Sequence, residues 1–273
     1  MEDTMTLSLH ELLAEPPSGR NRAVVLDSYD YAQSVFLQGK PVPWQEPMKY
    51  ANFFGQVQGV LKSDLALLSL DRFYAHRVAS DPALQAAMSA KSRTGYALRT
   101  LLGDPATTAF VIELATIFSK TQRVPVVLQI PSPMQWLART QAFSGTTDVS
   151  ALDADNAENS SMYVADWLRG FAALPLIAVL LDDRSSAGGV PAASVPLSTY
   201  SPVANVTDHY RWALGHRSDD RVELHGTELS GAVIGSEFWS SDNLPLPDGD
   251  FLLGEVPRGA IPEDVVSRIT ALA

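Results

Sequence analysis

The sequence contains no cysteine, and this absence removes several kinds of chemistry at once. Disulfide bonds, thiolate zinc sites and cysteine nucleophiles are all excluded, because each of them requires a thiol. Any metal ligand must therefore be a histidine, a carboxylate or a carbonyl oxygen. The candidates for chemistry are polar side chains whose place in the fold brings them together.

Long apolar runs and clusters of basic residues are also lacking. The longest strongly apolar run, residues 171–181, is far shorter than the roughly 20 residues that cross a bilayer. The N-terminus is acidic and polar and lacks the basic start of a signal peptide. A net charge of −11 opposes binding to a phosphate backbone or an anionic membrane. We therefore expect a cytoplasmic protein whose partner is a small-molecule substrate, not nucleic acid or membrane, and a homo-oligomer stays open.

The composition is that of a globular protein with a sizeable core. The chain has 273 residues, of which 46% are hydrophobic and 19% charged. This amount of apolar sequence is enough for one large domain. We expect residues 1–273 to form a single domain, with residues 1–21 as an N-terminal lead-in that packs across one end of it.

Strand and helix patterns alternate along most of the chain. Seven apolar, β-branched segments are typical of buried parallel strands, and most of them precede a helical pattern. They are residues 23–27, 65–71, 124–133, 176–182, 222–225, 232–235 and 250–257. The pattern predicts the α/β class and a (β/α)8 TIM barrel, complete or with one irregular or missing βα unit. An eighth strand would lie near residues 100–110 or 194–200, unless the barrel is incomplete. Residues 206–214 are predicted to form a helix.

Polar residues follow the predicted strands at the points where the strands end. In barrels, ligands and catalytic groups gather at the carboxyl ends of the strands. His225 and Glu237 follow two neighbouring strands, and Asp182 ends the most apolar one, so these three are predicted to converge within about 10 Å as catalytic groups. The predicted substrate-binding residues are Asp183, Arg184, Asp27, Tyr29, Asp71, Arg72, Gln129, Ser132 and Trp239.

The order of these features resembles the catalytic barrel of the cobalamin-independent methionine synthases, which share their architecture with uroporphyrinogen decarboxylases. Residues 180–184 correspond to an I-D-E-P strand end that contacts the amino-acid substrate in that family. His225-Gly-Thr227 corresponds to an H-x-C motif, and Glu237 to a zinc-binding glutamate one strand later. Residues 253–264 are similar to the family's last strand and helix start.

The sequence differs from that family at the residues that bind the zinc ion. One His, one Glu and two Cys hold the family's zinc, whereas Thr227 stands at the first cysteine position here. The resemblance therefore implies a barrel that is not a methionine synthase. His225 and Glu237 fit a metal-free general acid and base, as in the decarboxylase branch, or a weakly bound divalent metal as the alternative. We expect no cofactor.

Three classes of function remain open. The first is a small-molecule enzyme of lyase, cyclase, decarboxylase or alkyl-transfer type, in which neighbouring carboxylates raise one pKa and supply an acid near neutral pH. The second is a non-catalytic ligand-binding relative, and the third is a subunit of an assembly. The purely structural alternatives are a core histidine at His225 and a solvated strand end at Asp182.

One long segment has the composition of a lid. Residues 185–202 are rich in Ser, Ala, Gly and Pro and follow the strand that ends at Asp182. Loops of this kind often order over a bound substrate. We expect this segment to be the most mobile part of the chain.

Overall fold

Short runs of aliphatic and β-branched residues form the strands of one sheet. The computed structural model describes residues 8–185, 192–241 and 244–272. Its strands are β1 Ala23–Asp27, β2 Ala66–Ser69, β3 Val126–Pro131, β4 Leu176–Asp182, β5 Ala213–Arg217, β6 Arg221–Leu224, β7 Ser230–Ile234 and β8 Phe251–Glu255. Its α-helices are α1 Leu9–Ala14, α2 Tyr29–Val35, α3 Pro47–Leu61, α4 Asp71–Ser80, α5 Pro82–Met88, α6 Tyr96–Leu102, α7 Pro105–Thr121, α8 Pro133–Thr140, α9 Ala154–Leu168, α10 Ser201–Tyr210 and α11 Pro262–Ala271.

The sheet curves into a nearly closed barrel. Its strand order is β1-β8-β7-β6-β5-β4-β3-β2, and a single parallel bridge between Val25 and Leu65 joins the two edges. Between these two edge strands, β1 and β2, side chains replace the missing backbone partners. The N–H of Val24 donates to Asp64 Oδ2 at 2.9 Å, and the N–H of Leu26 donates to Ser63 Oγ at 3.0 Å. Buried backbone groups are thereby satisfied where the strands diverge.

One strand runs against the others. β6 pairs antiparallel with both β5 and β7, whereas all other pairs in the sheet are parallel. The reason is local, because only residues 218–220 separate β5 from β6. A parallel neighbour needs a crossover of a dozen or more residues, and a connection this short allows only a hairpin. The fold is thus a mixed α/β barrel in which one βα unit is replaced by a meander.

The barrel interior is filled by side chains and covered by α1. The interior cluster contains aliphatic residues from most strands, such as Val25, Val127 and Leu180, together with Leu9, Leu12 and Leu13 of α1. Leu12 is fully buried. A capping box between Ser8 and Glu11 fixes the start of α1, since each side chain accepts a hydrogen bond from the other's backbone. α1, which belongs to the predicted lead-in, is therefore part of the core.

The helices pack around the outside of the sheet. The largest core cluster lies between the outer faces of β2 to β5 and the helices that cover them, and it is rich in aromatic rings. A second cluster lies between β1, β7, β8 and the helices α3 and α11. No single described helix is long and apolar enough to cross a membrane, although α6 and α7, bent by 55°, pass that test as a pair.

The eighth strand lies where the sequence pattern predicts a helix. β5 occupies residues 213–217, although the helical pattern covers residues 206–214, and α10 ends at Tyr210. Neither segment expected to hold an eighth strand does so: residues 100–110 belong mainly to α6 and α7, and Leu197–Tyr200 is a 3-10 turn. The sequence of β5, Ala-Leu-Gly-His-Arg, has little intrinsic strand preference. Pairing with β4 and β6 determines its conformation.

The expected lid falls partly outside the described residues. Residues 186–191 of the segment 185–202 are among those that the structure does not describe. In the remainder, Val195 and Tyr200 are buried in the large helix-side cluster, and α10 begins at Ser201. This part of the segment packs against the body of the protein.

The first prediction concerns α1. Replacing Leu12 with alanine should lower the free energy of unfolding by about 2–4 kcal/mol, because the change leaves a cavity under the helix that covers the barrel. Urea denaturation of the wild type and the variant measures this difference. His10→Ala, an exposed position on the same helix, is the matched control. A loss below about 0.5 kcal/mol for Leu12→Ala would mean that α1 contributes little to the core.

Candidate functional site

Charged side chains form a layer at the carboxyl end of the barrel. Asp27, Asp182, Arg217 and Glu255 are the last residues of β1, β4, β5 and β8. Successive side chains of a strand point to opposite faces, so a residue two positions beyond an inward apolar one also points inward. Val25, Leu180 and Leu253 fill the interior two residues before Asp27, Asp182 and Glu255. The polar layer therefore lies directly on the apolar filling.

Arg217 lies at the centre of this layer and is completely buried. Its Nη1 donates to Asp27 Oδ2 at 3.0 Å, and its Nη2 donates to Glu255 Oε2 at 2.9 Å. The Nε atom of Arg217 is buried without a hydrogen-bond partner among the described residues. A buried guanidinium group requires carboxylate partners of this kind. Arg217 therefore joins β5 to β1 and β8 across the barrel.

Arg184 forms the second cationic element of the layer. Its Nε and Nη2 donate to the two oxygens of Asp182 at 2.9 and 2.7 Å, and its Nη1 pairs with Glu255. Burial alone would raise the pKa of Asp182, but the hydrogen bonds and charge of Arg184, together with the charge of Arg217, outweigh it and lower the pKa. Asp182 is therefore ionised near neutral pH and is not the acid with a raised pKa that neighbouring carboxylates were expected to supply.

The rim of the site comes from the loops and helices that follow β1, β2 and β3. Arg72 pairs with Asp30 and lies over the ring of Tyr29, 4.6 Å from its centroid. Asp71, the first residue of α4, pairs with Arg139 of α8. Arg139 also donates to the carbonyl oxygen of Arg184 at 3.3 Å. These contacts hold the loops around the barrel mouth together.

A small cavity of about 50 Å³ lies within this arrangement. That volume holds a few water molecules or a compact polar group. The lining residues are Asp27, Tyr29, Asp30, Ser69, Asp71, Arg72, Gln129, Asp182, Arg184, Glu255 and Val256. Burial raises the pKa of the Tyr29 hydroxyl, an effect that Arg72 opposes and Asp30 reinforces. The phenol stays protonated and acts as a hydrogen-bond donor.

Seven of the twelve predicted site residues line this one cavity. They are Asp182, Arg184, Asp27, Tyr29, Asp71, Arg72 and Gln129. Gln129 is buried, and its side-chain amide donates to Asp182 Oδ2 at 3.2 Å and to Ser69 Oγ at 3.4 Å. These residues come from four separate strand ends, and the barrel brings them together.

Two predicted residues, Asp183 and Ser132, lie on the outer face of the sheet instead. Asp183 follows Asp182 and points to the helix layer, where Ser132 Oγ donates to its Oδ1 at 2.5 Å. Ser194 Oγ donates to its other oxygen at 2.9 Å, and His216 Nε2 lies 3.8 Å from Oδ1. Ser132 also caps the N-terminus of α8. Neither residue lines the cavity, and both anchor surrounding segments.

His225 lies at the wrong end of the barrel for the predicted role. Because β6 is antiparallel, its carboxyl end lies beside the amino ends of its neighbours. The N–H of His225 donates to the carbonyl oxygen of Leu214, near the start of β5, whereas Asp182 pairs with Arg217 at the opposite end. His225 is exposed in a turn. The prediction that His225, Glu237 and Asp182 converge is wrong.

Glu237 and Trp239 also lie outside the cavity. Both belong to the 3-10 turn Ser236–Trp239 that follows β7. Glu237 is exposed and folds back over Gly235, and Trp239 is buried behind the barrel wall against Gly254. Since His225 and Glu237 are at opposite ends of the barrel, they do not form a shared metal site. Within residues 8–185, 192–241 and 244–272, no three His, Asp or Glu residues are grouped to hold a metal ion.

Arg217, Glu255 and Ser69 were not predicted from the sequence as site residues. Glu255 ends an apolar strand as Asp27 and Asp182 do, so the same criterion would have selected it. Arg217 was hidden because β5 was not recognised. The signals for β5 were Gly215, where a side chain would meet Leu180 at 2.9 Å, and the hairpin composition of residues 218–220.

Comparisons with known proteins identify no relative of this chain. No family model, no curated protein and no solved structure matches the chain.

A second prediction follows from the burial of Arg217. Replacing it with methionine, which preserves much of the volume, should lower the free energy of unfolding by about 3–5 kcal/mol, because Asp27 loses its hydrogen-bonded cation and keeps only Arg184, whose Nη2 is 3.8 Å from Oδ2. His225→Ala should change stability by less than about 0.5 kcal/mol, since His225 is exposed. Chemical denaturation of the two variants tests both values. Equal stability of Arg217→Met and the wild type would contradict the conclusion that Arg217 and its carboxylate partners stabilise each other.

A third prediction concerns acid stability. The folded-state pKa of Asp182 is lowered, so ionised Asp182 stabilises the fold above its ordinary pKa of about 3.9, and this stabilisation is lost as pH falls through the lowered value. Asp182→Asn should therefore be less stable than the wild type at neutral pH, and the difference should shrink as the pH falls below about 4 and through the lowered pKa of Asp182. Urea denaturation across this range measures it. Asp219→Asn, at an exposed position, provides the control.

Proposed function

We propose that this chain acts on a small polar molecule bound at the carboxyl end of its barrel. The observation that carries the proposal is the convergence of Asp27, Asp182, Glu255, Arg184 and Gln129 on one recessed cavity. Polar groups that meet in a cavity above a rigid apolar layer are typical of small-molecule sites. Contacts between α4, α8 and the end of β4 hold the loops in place around the cavity.

The groups of the cavity suit chemistry that begins with an ionised carboxylate. Asp182 is ionised, and a carboxylate in this state accepts a proton or stabilises a developing positive charge. Tyr29, which remains protonated, donates a hydrogen bond to a developing negative charge. This combination fits a lyase or decarboxylase in which Asp182 stabilises positive charge and Tyr29 stabilises negative charge, and it agrees less well with a reaction that needs a strong general acid. A cyclase or an alkyl transferase is a further form of the same proposal.

Non-catalytic ligand binding is the second candidate function. It is favoured by one observation: the charged groups Arg184, Arg217 and Asp182 are already engaged in ion pairs within the chain. A residue held in such a network is well positioned for recognition but must exchange partners before it takes part in a reaction. A protein of this kind would bind the ligand without converting it.

We further propose that the barrel is a TIM-type barrel with one irregular unit, distantly related to the methionine synthase and uroporphyrinogen decarboxylase barrels. Support comes from the parallel pairs on both sides of the β5–β6–β7 meander and from the position of residues 182–184 at a strand end, as in that family. The reversed β6 is a departure, because it removes the segment His225-Gly-Thr227 from the site end.

A ligand screen tests the proposed function. Small molecules that raise the melting temperature of the wild type should have no such effect on Asp182→Asn or on Arg184→Met, because both changes dismantle the cavity. His225→Ala and Glu237→Gln are the controls and should respond as the wild type does. Ligands that stabilise all five proteins equally would place the binding site elsewhere and overturn the proposal. Following each stabilising ligand by mass spectrometry then separates an enzyme, which consumes it, from a binding protein.

A further inference from the structure

The charges around the cavity do not cancel. Five carboxylates line it, and they are paired with four guanidinium groups. Asp30 pairs with Arg72, Asp71 with Arg139, and Asp182 with Arg184. Asp27 and Glu255 remain. Both pair with Arg217, and both also contact Arg184, whose charge Asp182 already balances. One negative charge is therefore left over at the end of the cavity where β1 and β8 lie side by side.

The hydrogen-bonding atoms of Asp27 and Glu255 show a matching excess of acceptors. Both Arg217 and Arg184 bind the same oxygen of Glu255, Oε2, and Arg217 binds only Oδ2 of Asp27. The second oxygens, Asp27 Oδ1 and Glu255 Oε1, accept no hydrogen bond from the described residues. The side chain of Asp27 is 15% exposed and that of Glu255 47% exposed, so both acceptors are within reach of a ligand. The cavity thus offers free acceptors and a surplus negative charge, whereas the positive charge of each arginine is already balanced by a carboxylate.

We propose that the ligand is a cationic amine that carries no carboxylate, with its ammonium group bound between Asp27 and Glu255. This inference rests on the proposed function and names the ligand class of the same cavity. An ammonium group has three donors and no acceptor, so it matches two unoccupied carboxylate oxygens. It also neutralises the charge that Arg217 leaves uncompensated, and the cavity of about 50 Å³ accommodates a compact head group.

An α-amino acid fits this site poorly. Its carboxylate requires a cation whose charge is not yet balanced, and each of Arg72, Arg139, Arg184 and Arg217 is already paired with a carboxylate of the chain. Placing a further negative charge beside Asp27 and Glu255 is repulsive. The site therefore distinguishes an amine from the amino acid that yields it on loss of carbon dioxide. A subsite for amino acids would prefer the molecule that carries the carboxylate. This cavity should prefer the amine, because its arginines are already paired with carboxylates of the chain.

Matched amine and amino-acid pairs test the inference. Isothermal titration calorimetry at low ionic strength would compare agmatine with arginine, cadaverine with lysine, and 3-(methylthio)propylamine with methionine. At least one amine should bind about tenfold or more tightly than its amino acid. Higher salt should weaken the interaction, because the Glu255 side chain is 47% exposed and its charge is screened by ions. An amino acid that binds as tightly as its amine, or no detectable binding by any of the three amines, would contradict the inference.

Removal of the surplus charge provides the second arm of the test. Glu255→Gln should reduce amine binding about tenfold or more, while its amide oxygen still accepts from Arg184 and Arg217. Glu223→Gln makes the same change in net charge at an exposed position on β6 and should bind the amine as the wild type does. Equal binding by both variants would overturn the inference. If uncharged or anionic molecules bind instead, and Asp182→Asn abolishes that binding, the proposed function stands and the amine preference alone fails.

Discussion

The burial of Arg217 is the constraint on which the upper half of the barrel depends. A guanidinium group enclosed by protein is stable only when carboxylates surround it, and Asp27 and Glu255 supply them from strands on the far side of the barrel from β5. Because Arg184 binds the same Glu255 and the whole of the Asp182 carboxylate, the pairing continues from β8 to β4. The cavity is thus the space left within one connected network, and its shape follows from the geometry of that network.

The reversal of β6 decides which strands contribute to the site. A regular barrel would present the end of a parallel strand here, with a loop and a helix after it. The three residues between β5 and β6 permit only a hairpin, so the polar turn after β6 lies at the amino end with α1, far from Arg217. The carboxyl-end layer is accordingly built by β1 to β5 and β8. The short β5–β6 hairpin also keeps Arg217 at a strand end, where its side chain reaches across the barrel.

The sequence predicted the elements whose local pattern is strong, and the polar residues that end them. β1 and β4 were predicted with their terminal Asp27 and Asp182, since an uninterrupted aliphatic run that ends in a charged residue is typical of a buried barrel strand. The direction of β6 was not predictable in this way, because an apolar strand has the same periodicity in either direction. His225 was therefore assigned to the wrong end. Arg217 was missed because β5 owes its conformation to its neighbours rather than to its own residues.

Adjacent residues on the two faces of a strand end perform different tasks here. Asp182 and Asp183 are consecutive, as are His216 and Arg217, and the N–H of Asp183 donates to the carbonyl oxygen of Arg217 at 2.9 Å. On the outer face, Asp183 is held by hydroxyl groups from the start of α8 and from the segment before α10. This anchoring fixes the backbone from which Asp182 and Arg217 project inward. A doublet of charges at a strand end can therefore place one carboxylate on the outer face as an anchor and the other in the cavity, and only the register of the strand determines which residue lies where.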